Sequence, residues 1–315
     1  MNIHDLVELF VTFRRTLGEV CNCKEDILRS FGRAVGPRTR VTRIRVKDVA
    51  KFLAGKGPMT NSWHIKYSAL KVFFQFAVSR GYVDQAPLPT ELPKPLPTLI
   101  PYIYSRAELR RLLDAISLFR RHPRRIEPPT MRAILLTAYG AGLRRQEVLD
   151  LPIADVDLPN ALLTIRETKF FKSRLVPLGK DLTKVLRDYA RWRAVNHPAA
   201  GVESPFFVGR DGVAIPIWTL DQAFSRLRKH AGVKRSDGGR YQPRFHDLRH
   251  TFAVHRLTEW YRQELDVQRL LYHLSVYLGH TQPTSTQVYL TMTPELLQQA
   301  GQRFERYARK EADHA

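Results

Sequence analysis

In the stretch RFHDLRHTFAVH, residues 244–255, two histidines and an arginine fall on one amphipathic pattern. Phe245, Leu248 and Phe252 recur at offsets 0, 3 and 7 and form an apolar stripe. His246 and Arg249, three apart, share a face beside it. A satisfied structural pair would account for them. So would a phosphate, because a guanidinium donates to two phosphate oxygens at once. Zinc is a poor third reading. His246 and His250 are four apart, but the string lacks the glutamate of HExxH, and Arg249 would repel the ion. No metal is expected, and His250 reads as a supporting or structural residue.

Three other strings hold residues of the same kind. In GAGLRRQEVLDL, residues 140–151, Gly140 and Gly142 end one helix and Arg144 stands near the start of the next. Free amides there favour an anion, and Glu147, three residues on, is placed to brace Arg144. Arg145 should point to solvent. TKFFKSR reads as a hairpin turn carrying Lys169 and Lys172. These are either ordinary surface lysines or a mobile ammonium that protonates a leaving oxygen. In LGHTQPTSTQVYLTM, His280 directly follows a helix stop. Thr284 with Gln287 reads as a capping box opening a short helix that displays Tyr289. A phenol, with a pKa of about 10, attacks only with help from a base or a local positive charge.

Arg144, Lys169, His246 with Arg249, His280 and Tyr289, taken in this order, resemble the tyrosine recombinases, the phage-integrase family of site-specific DNA recombinases. The resemblance is carried by GLRRQE, TKFFKSRLVPL and HDLRHTFA, and by LGH with Tyr289 nine residues after His280. It covers most of residues 100–300. The segment SALKVFFQFAVSRGYVDQAPL is similar to that family's helical core-binding domain. Phe170 and Phe171 stand where the family's lysine turn commonly bears glycine; the distance to LVPL pairs Lys169, rather than Lys172, with the family's lysine. Gln146 stands where the family often has a small polar residue.

The resemblance implies that Tyr289 attacks a scissile phosphate, leaving a 3′-phosphotyrosine and a free 5′-hydroxyl. Arg144 and Arg249 would stabilise the charge on the nonbridging oxygens, with His246 and His280 donating hydrogen bonds or moving protons. Lys169 would protonate the departing 5′ oxygen. No cofactor is implied, since the arginines supply the positive charge. Two rivals stand beside it: a type IB topoisomerase of the same chemistry that only relaxes DNA, against which the LGH box speaks, and a non-catalytic DNA-binding protein of the same fold.

The elements that must position these residues are legible in outline. The chain carries 51 Lys and Arg against 30 Asp and Glu, a net charge of +21. Such an excess points to a polyanion. Residues 1–95 hold +8 of it and residues 96–315 hold +13, so both parts are suited to the same partner. Double-stranded DNA recombination sites are the expected partner. Cys21 and Cys23 are the only cysteines, and no signal peptide or membrane-length apolar run is apparent. A cytoplasmic, bacterial nucleoid-associated protein is expected, with no membrane contact.

Six prolines between Pro87 and Pro101 forbid helix, and those 15 residues would reach roughly 45 Å as polyproline II. They divide the chain into a helical DNA-binding domain over 1–86, a linker over 87–103 and a catalytic domain over 104–315. The expected class is mainly α with a small antiparallel β-sheet in the catalytic domain, in a two-domain DNA-clamping architecture. Leu70, Phe73, Phe74 and Ala77 form one helix face in the first domain. Arg38, Arg40, Arg43 and Arg45 precede a helix there and are candidate phosphate contacts, as is Lys172 on the hairpin. Ser105 with Glu108 forms a capping box, and Val267, Leu270, Leu271, Leu274 and Leu278 make a stripe stopped by Gly279. The C-terminal segment has an apolar face of Leu296, Leu297, Ala300 and Phe304. It packs either on its own domain or, as the resemblance implies, on an adjacent protomer. A monomer when free and a homotetramer on paired sites are expected.

Overall fold

The computed structural model describes residues 1–18, 22–55, 57, 59–94, 100–117, 126–168, 172–198, 201–239, 241–279, 284–291, 297–298, 300–302 and 304–305. Apart from residues 167–172, the chain divides into two compact units, with the change falling between Thr98 and Leu99. Among the described residues no helix is long and apolar enough to cross a membrane.

The first unit holds α1 (Ile3–Thr16), α2 (Asn22–Val35), α3 (Val46–Ala54) and α4 (Asn61–Ser79). Its core is aromatic. Leu70, Phe73, Phe74 and Ala77 of α4 are fully buried, as the spacing predicts, and Phe10 of α1 meets Phe73 edge-on at 5.6 Å. Leu88 also packs against this core. Between α2 and α3, Val41 and Ile44 turn inward while Arg38, Arg40, Arg43 and Arg45 are exposed. The burial of two apolar residues thus fixes a loop that presents four guanidiniums to solvent.

The second unit is mainly helical, with one small sheet. Its elements are α5 (Arg106–Ala115), α6 (Pro128–Gly140), α7 (Arg145–Leu149), β1 (Val156–Asp157), β2 (Leu162–Thr168), β3 (Lys172–Pro177), α8 (Lys180–Asn196), α9 (Ile217–His230), α10 (Asp247–Arg262), α11 (Val267–Leu278) and α12 (Thr284–Gln287). The strands lie in the order β1-β2-β3, with Val156 opposite Leu163 across the antiparallel β1–β2 pair. Ser105 caps α5 and Glu108 closes the box, as read from the sequence. The entry to this unit is tied down by Tyr104. It is fully buried, its amide donates to Thr251 Oγ1 of α10 at 3.0 Å, and its hydroxyl donates to the Arg244 carbonyl at 2.9 Å.

Two cores meet at the end of α6. One gathers α5–α9 and the sheet; the other joins α10 and α11 to Tyr289. Gly142 sits between them with φ +59°, and a Cβ there would lie 2.5 Å from Cδ1 of Phe252 and 3.0 Å from Cδ2 of Leu278. Only glycine meets both the left-handed backbone and the close approach. Gly142→Ala should therefore cost roughly 2–4 kcal/mol, from backbone strain plus overpacking, read as a lower urea midpoint. An unchanged midpoint would mean that the two cores do not depend on this approach.

Candidate active site

Arg144 is the residue immediately before α7, in extended backbone. Its amide donates to Glu147 Oε2 at 2.8 Å and its Nη1 to Glu147 Oε1 at 2.6 Å, which is the bracing expected from their spacing. Its Nη2 reaches across the unit to the Gly279 carbonyl at 2.8 Å. Arg145 does not simply face solvent: it pairs with Asp221 of α9.

Arg249, in the first turn of α10, is almost wholly buried. It donates to the carbonyls of Gly142 at 2.8 Å and Leu278 at 2.5 Å, and its Nη1 lies 3.8 Å from Glu147. Burial and the neighbouring Arg144 lower its pKa to about 10, so it stays charged at neutral pH. A third arginine, Arg174 of β3, completes the group. It donates to both Glu147 oxygens, at 3.0 and 2.7 Å, and to the Tyr277 carbonyl at 3.0 Å. The last carbonyls of a helix lack partners within it, and those at the end of α11 are met here by guanidiniums. Burial pushes the Glu147 carboxyl up. The hydrogen bond and charge of Arg174, with the amide and charge of Arg144, outweigh this and hold it near 2.

His246 is the residue just before α10, with helical backbone, and its carbonyl accepts from the Arg249 amide at 3.2 Å. The turn is pinned by Asp247, whose carboxylate accepts from the Arg244 amide at 2.8 Å and from its guanidinium at 2.8 Å. Burial, then Arg249 and Arg244, lower the His246 pKa to about 4, so the ring is neutral near pH 7. His246 and Arg144 share the wall of an open cleft of about 710 Å³, with Arg145, Arg228 and Arg244.

Tyr289 lies in a 3-10 turn, Val288–Thr291, directly after α12, and is 3% exposed. Thr284, read as a cap, falls on the first residue of α12. Burial raises the Tyr289 pKa, while Arg249 and Arg144 pull it down, Arg249 also through a hydrogen bond. His250 is not merely structural in placement: its Nδ1 stands 3.1 Å from the Tyr289 hydroxyl.

Arg144, Arg249, His246 and Tyr289 are thus gathered around the ends of α6, α10 and α11. Lys169 and His280 lie outside the described residues, and Lys172 is described only as the first residue of β3. Sequence reading missed Arg174, yet a signal was there: it alternates with Leu175, which is 61% exposed, and shares the face of Val176, which is fully buried.

Comparison with known proteins finds integrases and recombinases. The phage integrase family description matches residues 105–295. A protein of Sinorhizobium fredii named "Putative integrase/recombinase y4rB" is 37% identical over 78% of this chain and 78% of its own. Tyrosine recombinase XerC of Chlorobaculum tepidum is 30% identical over 82% of this chain and 77% of its own. A lambda integrase tetramer bound to a Holliday junction shares the fold, with a TM-score of 0.62 and 16% identity over 92% of this chain and 77% of that one.

The Glu147 carboxylate gives a pH-dependent test. Its folded pKa lies below the ordinary value of 4.5, so its contribution is complete above pH 4.5 and is lost as pH falls toward 2. Glu147→Gln should lose roughly 3 kcal/mol of stability at pH 7. The gap to the unmutated protein should narrow as pH is stepped below 4.5. Urea titrations of both proteins at each pH measure it, and a constant gap would rule out the carboxylate as its source.

Proposed function

The chain belongs to the phage integrase family of tyrosine recombinases, and from that premise we propose a site-specific DNA recombinase that exchanges strands through a 3′-phosphotyrosine on Tyr289. One observation carries the reading: the Tyr289 hydroxyl lies beside His250 and Arg249, and Arg249 meets Glu147 together with Arg144.

In the proposed reaction, Tyr289 Oη bonds to the scissile phosphorus and the 5′ oxygen leaves with its electron pair. Negative charge builds on the two nonbridging oxygens, where the guanidiniums of Arg144 and Arg249 stabilise it. His246, neutral and on the cleft wall beside Arg144, contributes at the phosphate. Following the family resemblance, His280 acts beside it and Lys169 protonates the 5′ oxygen. The phosphotyrosine keeps the energy of the broken bond, so a 5′-hydroxyl from a second strand reverses the step. The first unit, with Arg38, Arg40, Arg43 and Arg45 exposed, and Lys172 of the hairpin supply phosphate contacts along a duplex clamped by both domains.

A nicked suicide duplex, which traps the covalent complex, tests the chemistry. The unmutated protein should form adduct in excess chelator, because Arg144 and Arg249 do the work that metal ions do in two-metal nucleases. Tyr289→Phe should bind the duplex and form none. Adduct from the variant, or its loss with chelator, would refute the mechanism.

Assembly follows from the C-terminal segment. Leu297 and Phe304 are 49% and 72% exposed in the single chain. An adjacent protomer would cover them, giving a monomer when free and a tetramer on paired sites. The tetrameric assembly of lambda integrase supports this. Truncation after Met292 should leave single-site binding intact and reduce synapsis and cleavage, as read by gel shift and crosslinking. Undiminished tetramers with full strand exchange would exclude that role.

A further inference from the structure

Two imidazoles stand one turn apart at the start of α10, and they face different groups. His246 shares a cleft wall with Arg144. His250 places Nδ1 3.1 Å from the Tyr289 hydroxyl, with ring centroids 5.6 Å apart and planes tilted by 57°. We infer that His250 is the group that orients Tyr289 and accepts its proton when the tyrosine attacks. This rests on the reading of Tyr289 as nucleophile.

Three features of the surroundings favour proton acceptance over a passive contact. The tyrosine is packed with Phe252, Leu274 and Leu278, so bulk water does not serve its hydroxyl. Burial, with His246 and Arg249 nearby, keeps the His250 ring neutral near pH 7, with a pKa of about 4. A neutral ring with its proton on Nε2 leaves the Nδ1 lone pair free to accept. Third, the phenolate left behind lies beside Arg249 and within the field of Arg144, which lowers the cost of removing the proton.

His250 is also held in place. It is carried on α10, one turn beyond Asp247, whose carboxylate fixes the preceding loop, and its ring meets that of His246 edge-on at 5.1 Å. The step balances without a co-reactant. The phenol proton moves to His250 Nδ1, Oη bonds to phosphorus, and the P–O5′ bond breaks toward the 5′ oxygen, which takes the proton that the proposed mechanism assigns to Lys169. On rejoining, the 5′-hydroxyl gives that proton back to Lys169 as it attacks, Tyr289 leaves as phenolate, and the imidazolium returns its proton to it.

His250→Asn separates holding from accepting, since an amide oxygen near the Nδ1 position accepts a hydrogen bond but does not take the proton. On a nicked suicide duplex its single-turnover adduct formation should fall about 10²- to 10⁴-fold, the range for general base catalysis, with duplex binding unchanged. Replacing Tyr289 by 3,5-difluorotyrosine, a phenol that ionises more readily, should restore most of that rate in the His250→Asn protein. The same replacement should change the protein with His250 intact far less. His250→Gln serves as a second background for the rescue. An undiminished rate in His250→Asn, or a loss that the fluorinated residue leaves unrepaired in both backgrounds, overturns the assignment. Tyr289→Phe, run in parallel, keeps the two readings apart. Adduct from it removes the nucleophile itself, whereas no adduct from it with a fast His250→Asn removes only the base.

Discussion

One carboxylate holds this site together. Glu147 lies against Arg144, Arg174 and Arg249, three guanidiniums brought in by the α7 cap, a strand and α10. Without it, three like charges would share a poorly solvated space, each pushing the others outward. A buried ion group is costly to desolvate and gains little over an apolar replacement, although removing one member leaves the others unpaired. Its effect here is also geometric. The carboxylate fixes where each arginine ends, and the carbonyls of Gly142, Tyr277, Leu278 and Gly279 take up donors that remain. The fold of the second unit amounts to bringing those carbonyls and that carboxylate to one place.

The histidines follow from the same cluster. Fixed positive charge beside His246 and His250, added to burial, disfavours their protonated forms. The site therefore enters neutral pH with guanidiniums that stay charged and imidazoles that are neutral, each with a lone pair available. On the proposed mechanism, charge stabilisation and proton transfer fall to different residue types, and the charge of the first lowers the proton affinity of the second.

Much of this was legible in the sequence where the cause is local. The i, i+3 spacing of Arg144 and Glu147, the Ser105–Glu108 box, the aromatic face of α4 and the stop at Gly279 depend on near neighbours, and the structure has each. Arg174 was missed because a guanidinium in a strand reads as surface unless the face it shares with buried Val176 is weighed. The role of Gly142 was only half visible. As a helix breaker it is local, but as an acceptor for Arg249 it depends on packing across 107 residues of chain. His250 was read as support because its partner lies 39 residues away, on a turn whose approach no periodicity encodes. Lys169 and Lys172 stand three positions apart in TKFFKSR, and spacing alone separates them least.

Gly279 has a left-handed backbone, with φ +67° and ψ +43°, and its carbonyl accepts from Arg144, ten residues before Tyr289 in the chain. The peptide that releases the chain toward the tyrosine is therefore also a ligand of the guanidinium proposed to meet the phosphate. On the proposed mechanism, an oxyanion at Arg144 would share one guanidinium with that carbonyl, so the two would compete wherever they call on the same N–H. Whatever free energy the competition carries is shared: occupancy at the arginine biases the segment bearing the tyrosine, and the placement of that segment biases affinity at the arginine by the same factor. On the proposed mechanism, this one peptide carbonyl would link the anchor of the substrate to the arm that attacks it.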